Sequence, residues 1–386
     1  MIKLKELYKE KDEASESMLK EAFAFNNKMA PYIIFDTSYW LDGEIEENIP
    51  QGIFSDDPEA MLQYNLRKIK RHYESYTNDC HIGFLMPWFG TGVLASAFGT
   101  EVRFIESGEP TVEMSRIKSV DEMDSLTLPD CEKDGLMPRV LKQIRYFKEN
   151  CDLPIGVTDC QGPLDSALSI IGYENFIYWS VDYPEKLHAF MDKVTTALIE
   201  WIRIQKRVIG DTDTGPAFIC GQKIPKGSGG VWFAEDDGGI FNPSLYAEFV
   251  KPYNERVLNA FGGGGIHYCG SSTQNLENYV NTKGLTCLHN VHMDDFDNVV
   301  IAAKKMQDAG KAFYIVDIAP TEDRIGDYYD ELFKRVDQRG LIVVSFVVTM
   351  LALYNKKYEV RQRDTLKTGK MVEEFILQKR KLYMHC

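Results

Sequence analysis

Short β-rich runs and longer amphipathic stretches alternate along most of the chain. The β-rich runs cover 30–36, 81–88, 153–159, 229–235, 264–270, 285–291, 311–318 and 340–348. Several are nearly continuous apolar segments, the pattern of parallel strands covered on both faces. Between them, 184–208 places Leu187, Phe190, Met191, Val194, Leu198 and Trp201 at helical spacing. A second helix is predicted over 243–261, with Asn242 as N-cap and Pro243 in its first turn, and a third over 293–310, ended by Gly310. Eight strands interleaved with helices predict an α/β fold, a single (β/α)8 TIM-type barrel over 1–386. Within it, 1–76 forms an N-terminal helical extension plus the first strand, 80–350 the barrel body and 351–386 a C-terminal helical tail. An open doubly wound sheet is the structural alternative, and 99–136 reads as an excursion between the second and third strands.

With 58 acidic and 44 basic residues, the formal net charge is −14. An anionic surface of that size disfavours nucleic acid and anionic lipid as main partners, since both require a basic footprint. It also weighs against a substrate bearing many carboxylates. No apolar run approaches membrane-spanning length, and the N-terminus, MIKLKELYKEKDEASES, lacks the apolar core of a secretory signal. A cytoplasmic protein with no membrane partner is expected. The eight cysteines are scattered and read as free thiols or ligands, not as a disulfide framework.

In a barrel, chemistry sits at the C-terminal ends of the strands. Polar residues there form a ring of candidates: Asp36, Trp88, Asp159 with Gln161, the Glu235–Asp236–Asp237 run, His267 with Cys269, His289 with Asn290, and Asp317. The sharpest is GGGGIHYCGSS, because side chains two apart on a strand share a face and His267 and Cys269 can grip one metal. Imidazole plus thiolate suits zinc, whose catalytic sites take about three protein ligands. The bland reading of such a pair is a packed thiol beside a hydrogen-bonded imidazole. The flanking glycines tip the balance, since they let a ligand approach the backbone closely. Cys287 is taken as the third ligand, with His289 or Glu235 as alternatives, although a buried core thiol is the plain reading of Cys287.

Clustered acids raise one another's pKa, which suits acid–base work by Glu235 and Asp237; the plain alternative is a solvated turn before Gly238–Gly239. Asp159 is a third candidate acid–base group. Asp36, Tyr39, Trp88, Gln161 and Asn290 are candidate substrate contacts. The chain contains no P-loop and no G-x-S-x-G elbow, and GGGG precedes a strand where a dinucleotide fingerprint would follow one. A nucleotide cofactor is not expected.

Four segments then carry a resemblance: MPWFGTGVLASAFGTEV, DCQGPLDSALSIIGYENFIYWSVDYPEKLHAFMDKVT, FAEDDGGIFNPSLYAEFVKPYNERV and GIHYCGSSTQNLENY. In order and spacing they resemble the uroporphyrinogen decarboxylase superfamily over about residues 80–350, its cobamide-dependent methyltransferase branch above all. The resemblance implies a (β/α)8 barrel and a zinc bound by the H-x-C pair, which His267 and Cys269 match. It also implies a ligating cysteine near the end of the last strand, where this chain reads LIVVSFVV and has none. The decarboxylases' arginine-rich segment after the first strand is replaced here by the acidic DTSYWLDGEIEEN. The expectation is a corrinoid-dependent methyltransferase acting on a small methylated substrate, with zinc as Lewis acid and the corrinoid held by a separate protein docked at the barrel mouth. The aromatic residues Tyr39, Trp40, Trp88, Phe89 and Trp232 favour a methoxy-aromatic donor. A decarboxylase of a porphyrinogen-like or smaller acid and a non-catalytic corrinoid-protein partner are the alternatives, and a homodimer is a candidate assembly.

Overall fold

The computed structural model describes residues 1–36, 54, 56–105, 109–114, 116–219, 222–292, 296–348, 350–354 and 358–384. Six strands form one parallel sheet: β1 (Tyr32–Asp36), β2 (Val231–Ala234), β3 (Gly264–Cys269), β4 (Leu285–His292), β5 (Ala312–Ile318) and β6 (Leu341–Val347). Their order is β1-β6-β5-β4-β3-β2, so the first and last strands in sequence are neighbours, as in an α/β barrel.

The runs at 81–88 and 153–159 occupy the interval between β2 and β1 without forming continuous ladders. Isolated parallel bridges join Leu85 to Ile155 and Gln161 to Ala234, and Cys80 N donates to Tyr32 O at 2.7 Å. The reason is only partly local. Pro87 and Pro154 have no N–H to give a ladder. Other backbone donors are taken by helix side chains: Gly83 N by Tyr73 Oη, Met86 N by Asn65 Oδ1 and Thr158 N by Gln205 Oε1. Every such N–H is satisfied, but outside a sheet.

Strand alternation produces two buried layers. Ile33, Trp232, Cys287, Tyr314 and Val344 face the interior, while Tyr32, Val231, Ile266, Leu288 and Phe313 face the surrounding helices. Helix α1 (Lys5–Phe23) puts Leu19 and Ala22 into the interior layer, beside the hairpin of Ala217–Ile219 with Gln222–Ile224. Helix α2 (Pro58–Ser75) starts on an Asp57 cap. The long helix at Pro184–Ile209 buries the six residues that the spacing selects and ends on Gly210 in the left-handed conformation.

Two expectations are corrected. The helix expected over 243–261 is two, Pro243–Phe249 and Lys251–Ala260, with Val250 non-helical between them. Pro252 forces the break, because its ring clashes with the carbonyl four residues back. The tail from 351 is not wholly helical: Met350–Tyr354 and Tyr358–Gln362 pair as a hairpin before the helix at Thr365–Met384. No helix among the described residues is long and apolar enough to cross a membrane.

One buried carboxylate ties the N-terminal segment to the sheet. Asp79 accepts from Lys11 Nζ at 2.8 Å, from Ile34 N at 3.0 Å and from His72 Nε2 at 3.0 Å. Burial alone would raise its pKa, but the His72 contact and the Lys11 charge outweigh that and hold it well below the carboxylate range. Asp79→Ala takes the carboxylate from Lys11, which keeps only Tyr76 O, and the acceptor from a strand N–H, and is expected to cost about 3–5 kcal/mol in urea unfolding. Because the folded pKa is depressed, the carboxylate's stabilisation is present above the unfolded value near 3.9 and is lost as pH falls below it. Asp79→Asn should therefore flatten the acid limb of stability against pH; an unchanged limb would contradict the assignment.

Candidate metal centre

The parallel ladders set Ala234 beside His267 and His267 beside His289. All three side chains point into the interior, so the C-terminal mouth of the barrel carries a file of imidazoles. Below His267, Gly265 lies beside Cys287, and a side chain at 265 would come within 2.8 Å of the Cys287 sulfur. The glycine run thus makes room for the core; at this position it does not open the backbone to a ligand.

Beyond β2 the chain turns through a 3-10 segment, Asp236–Ile240. The Asp165 carboxylate, in the first turn of the helix at Pro163–Ile171, accepts from Asp236 N at 2.7 Å and Asp237 N at 3.2 Å. That grip carries the Asp236 side chain over the end of β3. Its Oδ1 lies 3.3 Å from His267 Nε2 and accepts from Cys269 N at 2.9 Å. Cys269 Sγ lies 3.5 Å from the same His267 Nε2. Donor atoms of Asp236, His267 and Cys269 all fall within 4.8 Å of one another.

This donor set fits zinc. Ligand bonds of about 2.0–2.1 Å to nitrogen, 2.0–2.2 Å to oxygen and 2.3 Å to sulfur, set at tetrahedral angles, separate N from O by about 3.4 Å and N from S by about 3.6 Å. The observed 3.3 and 3.5 Å match both. Cys269 and Asp236 are partly exposed, which leaves a side open to an incoming group.

On its other side, His267 Nδ1 meets His289 Nδ1 at 2.6 Å, and His289 Nε2 contacts Gln222 Oε1. Burial lowers the pKa of both histidines; for His289 the charge of His267 adds to it. Both rings are neutral at physiological pH, the state in which imidazole binds metal.

The remaining expected site residues divide. Cys287 is fully buried in the interior layer, its pKa pushed up by burial, and lies outside the donor group; His289 backs His267 and is not itself a donor. Glu235 faces outward. It is fully buried and accepts from Leu164 N and Asp165 N, both at 3.3 Å, so it braces a helix end and does not line the mouth. Burial pushes both carboxyls up, with the charge of Glu235 adding to the rise of Asp165 and that of Asp237 to the rise of Glu235, so one of the two holds a proton at neutral pH.

Asp36 is held by Tyr76 Oη at 2.9 Å, Asn290 donates to Tyr268 O and Gly270 O, and Asp317 lies against Tyr329; these three face the helix layer or brace a loop. Asp159 and Gln161 are buried together, joined by a 2.9 Å hydrogen bond, and burial pushes Asp159 up to about 6. Asp237 accepts from Tyr173 Oη at 2.8 Å, and burial raises it. Half-buried Trp88 donates its indole N–H to Glu109. Tyr39 and Trp40 lie outside the described residues. Sequence reasoning missed Asp236 as a ligand, together with Asp165 and Gln222. Parity held the first of these: counting inward positions from Trp232 through Ala234 reaches Asp236, not Glu235.

A uroporphyrinogen decarboxylase family model matches residues 53–209. The chain is 27% identical over 212 residues to a methylated-thiol–coenzyme M methyltransferase of Methanosarcina mazei, covering 54% of this chain and 52% of the relative. It is 23% identical over 172 residues to a uroporphyrinogen decarboxylase of Desulfotalea psychrophila, covering 43% and 44%. These matches span about half the length of the curated relatives. A solved methyltransferase from Methanosarcina mazei shares the fold, with a TM-score of 0.67 at 14% identity over 95% of this chain and 99% of that one. The resemblance drawn from the sequence is borne out: residues 53–209 are similar to the uroporphyrinogen decarboxylase family, and a methyltransferase is found both as a sequence relative and as a fold neighbour.

Proposed function

We propose that the chain is a methyltransferase of a corrinoid-dependent system, with Asp236, His267 and Cys269 holding zinc. The observation that carries this reading is the spacing of three chemically suited donors at the open end of the barrel. Similarity to a methylated-thiol–coenzyme M methyltransferase supports it. Zinc bound there supplies Lewis-acid chemistry toward the heteroatom that loses or gains the methyl group. The methyl carrier is a corrinoid on a separate partner protein, as in the branch the sequence resembles. The substrate is a small methylated compound, with a methoxy-aromatic ring as its form; of the aromatic residues that suggested it, Phe89 and Trp232 are buried in the core, and half-buried Trp88 is the candidate contact.

The chain's own groups supply the rest. Asp159 is buried beside Gln161 and holds its proton up to about pH 6, which lets it protonate a departing oxygen. Gln161 orients that carboxyl. Asp237, steadied by Tyr173, is placed to bind a polar substituent. Glu235 and Asp165 fix the backbone that presents Asp236.

Protein purified without chelator is expected to carry about one zinc per chain. His267→Ala, Cys269→Ala and Asp236→Ala should each lose it, along with methyl transfer to cob(I)alamin or from methylcob(III)alamin, whereas Cys287→Ala should keep it. Metal content unchanged in the first three would refute the assignment. Decarboxylation by metal-free protein would favour the porphyrinogen-type alternative.

Since the working form of Asp159 is the acid, kcat/KM should fall as pH rises through about 6. Asp159→Asn should remove that limb and lower kcat roughly 10²–10⁴-fold. A limb that persists in the variant would assign the proton to another group.

A further inference from the structure

Behind the donor cluster, a file of buried polar groups runs from the hairpin at the barrel floor to His267. Gln222 and His289 are each 3% exposed. Gln222 presents Oε1 to His289 Nε2, and His289 Nδ1 meets His267 Nδ1 at 2.6 Å. The far nitrogen of His267 then faces Cys269 Sγ and Asp236 Oδ1.

Hydrogen-bond direction propagates along this file. A carbonyl oxygen only accepts, so His289 carries its proton on Nε2 and turns the lone pair of Nδ1 toward His267. Two ring nitrogens 2.6 Å apart have room for one proton between them, and that proton is therefore on His267 Nδ1. His267 Nε2 is left as a lone pair.

The rings are not free to turn and undo this order. His289 packs edge-on to Trp232, with ring centroids 5.2 Å apart, and against Tyr314 at 5.8 Å. Tyr314 Oη in turn donates to Lys223 O at 2.6 Å, which fixes the hairpin residue next to Gln222.

We propose that Gln222 and His289 are positioning residues that set the tautomer of His267, delivering Nε2 to the donor cluster as a ready lone pair. The purpose of the device rests on reading the cluster as a metal centre; the tautomer does not. No residue of the file but His267 touches the metal position. The other two act through it, as carboxylates and carbonyls behind ligating histidines do elsewhere.

Long-range proton–nitrogen correlation on isotope-labelled, metal-free protein tests this directly. The expected result is His267 protonated at Nδ1 and His289 at Nε2. His267 protonated at Nε2 in the folded metal-free chain would overturn the proposal. Gln222→Leu should free the His289 tautomer and weaken zinc affinity roughly 10–100-fold, measured by chelator competition. An unchanged affinity in that variant counts against the proposal even if the wild-type protein binds zinc well. Should wild type bind no zinc while His267 still shows the Nδ1–H form, the metal reading fails and the tautomer relay stands.

Discussion

Three parallel strands in register, with Ala234 beside His267 beside His289, place the imidazole file inside the barrel, and strand alternation decides everything around it. A side chain one residue along points at the helices and cannot reach the mouth. That single constraint separates His267, Cys269 and His289 from Asp36, Asn290 and Asp317, although all six stand near strand ends. The outward group is not idle. Asn290 clamps the backbone just past Cys269, and Asp317 is packed against Tyr329, so polar residues on the wrong face for chemistry serve the walls that hold the right face still.

Burying several acids behind the mouth works against folding, and the structure shows how the repulsion is contained. Asp165 and Glu235 sit together with burial raising both, and the proton retained between them removes one charge. Their remaining oxygens are saturated by backbone N–H groups of Leu164, Asp165, Asp236 and Asp237. The same contacts aim Asp236. A cation among Asp236, His267 and Cys269 would relieve the field that the acid cluster creates, so the electrostatics of the scaffold and the chemistry of the site favour the same occupant.

The fold was legible where one period ruled a long segment. The helix at Pro184–Ile209 follows its spacing, and each of the six laddered strands falls on one of the β-rich runs. Legibility failed where a backbone donor is taken by a distant side chain. Nothing local in 81–88 reveals that Tyr73 and Asn65 will claim its N–H groups. Two ligand candidates, His267 and Cys269, were visible because strand alternation is local information. The third donor was half-hidden: alternation points Asp236 inward, but past the end of β2 it is held in place by Asp165, seventy-one residues earlier in the chain. Gln222 was hidden for the same reason, its contact to His289 spanning sixty-seven residues.

Strand β6 explains why the third donor comes from the turn after β2. Its inward positions are Ile342, Val344 and Phe346, packed in the interior layer with Phe35 stacked on Phe346 at 5.1 Å. That side of the mouth is apolar and closed to metal ligation, so the branch's usual cysteine has no counterpart there. A carboxylate on the opposite flank of His267 keeps the ligand charge the same, one thiolate and one further anion. It gives less electron density than a second thiolate would. A zinc held by Asp236, His267 and Cys269 would therefore be the stronger Lewis acid, a property suited to drawing charge from an oxygen leaving group.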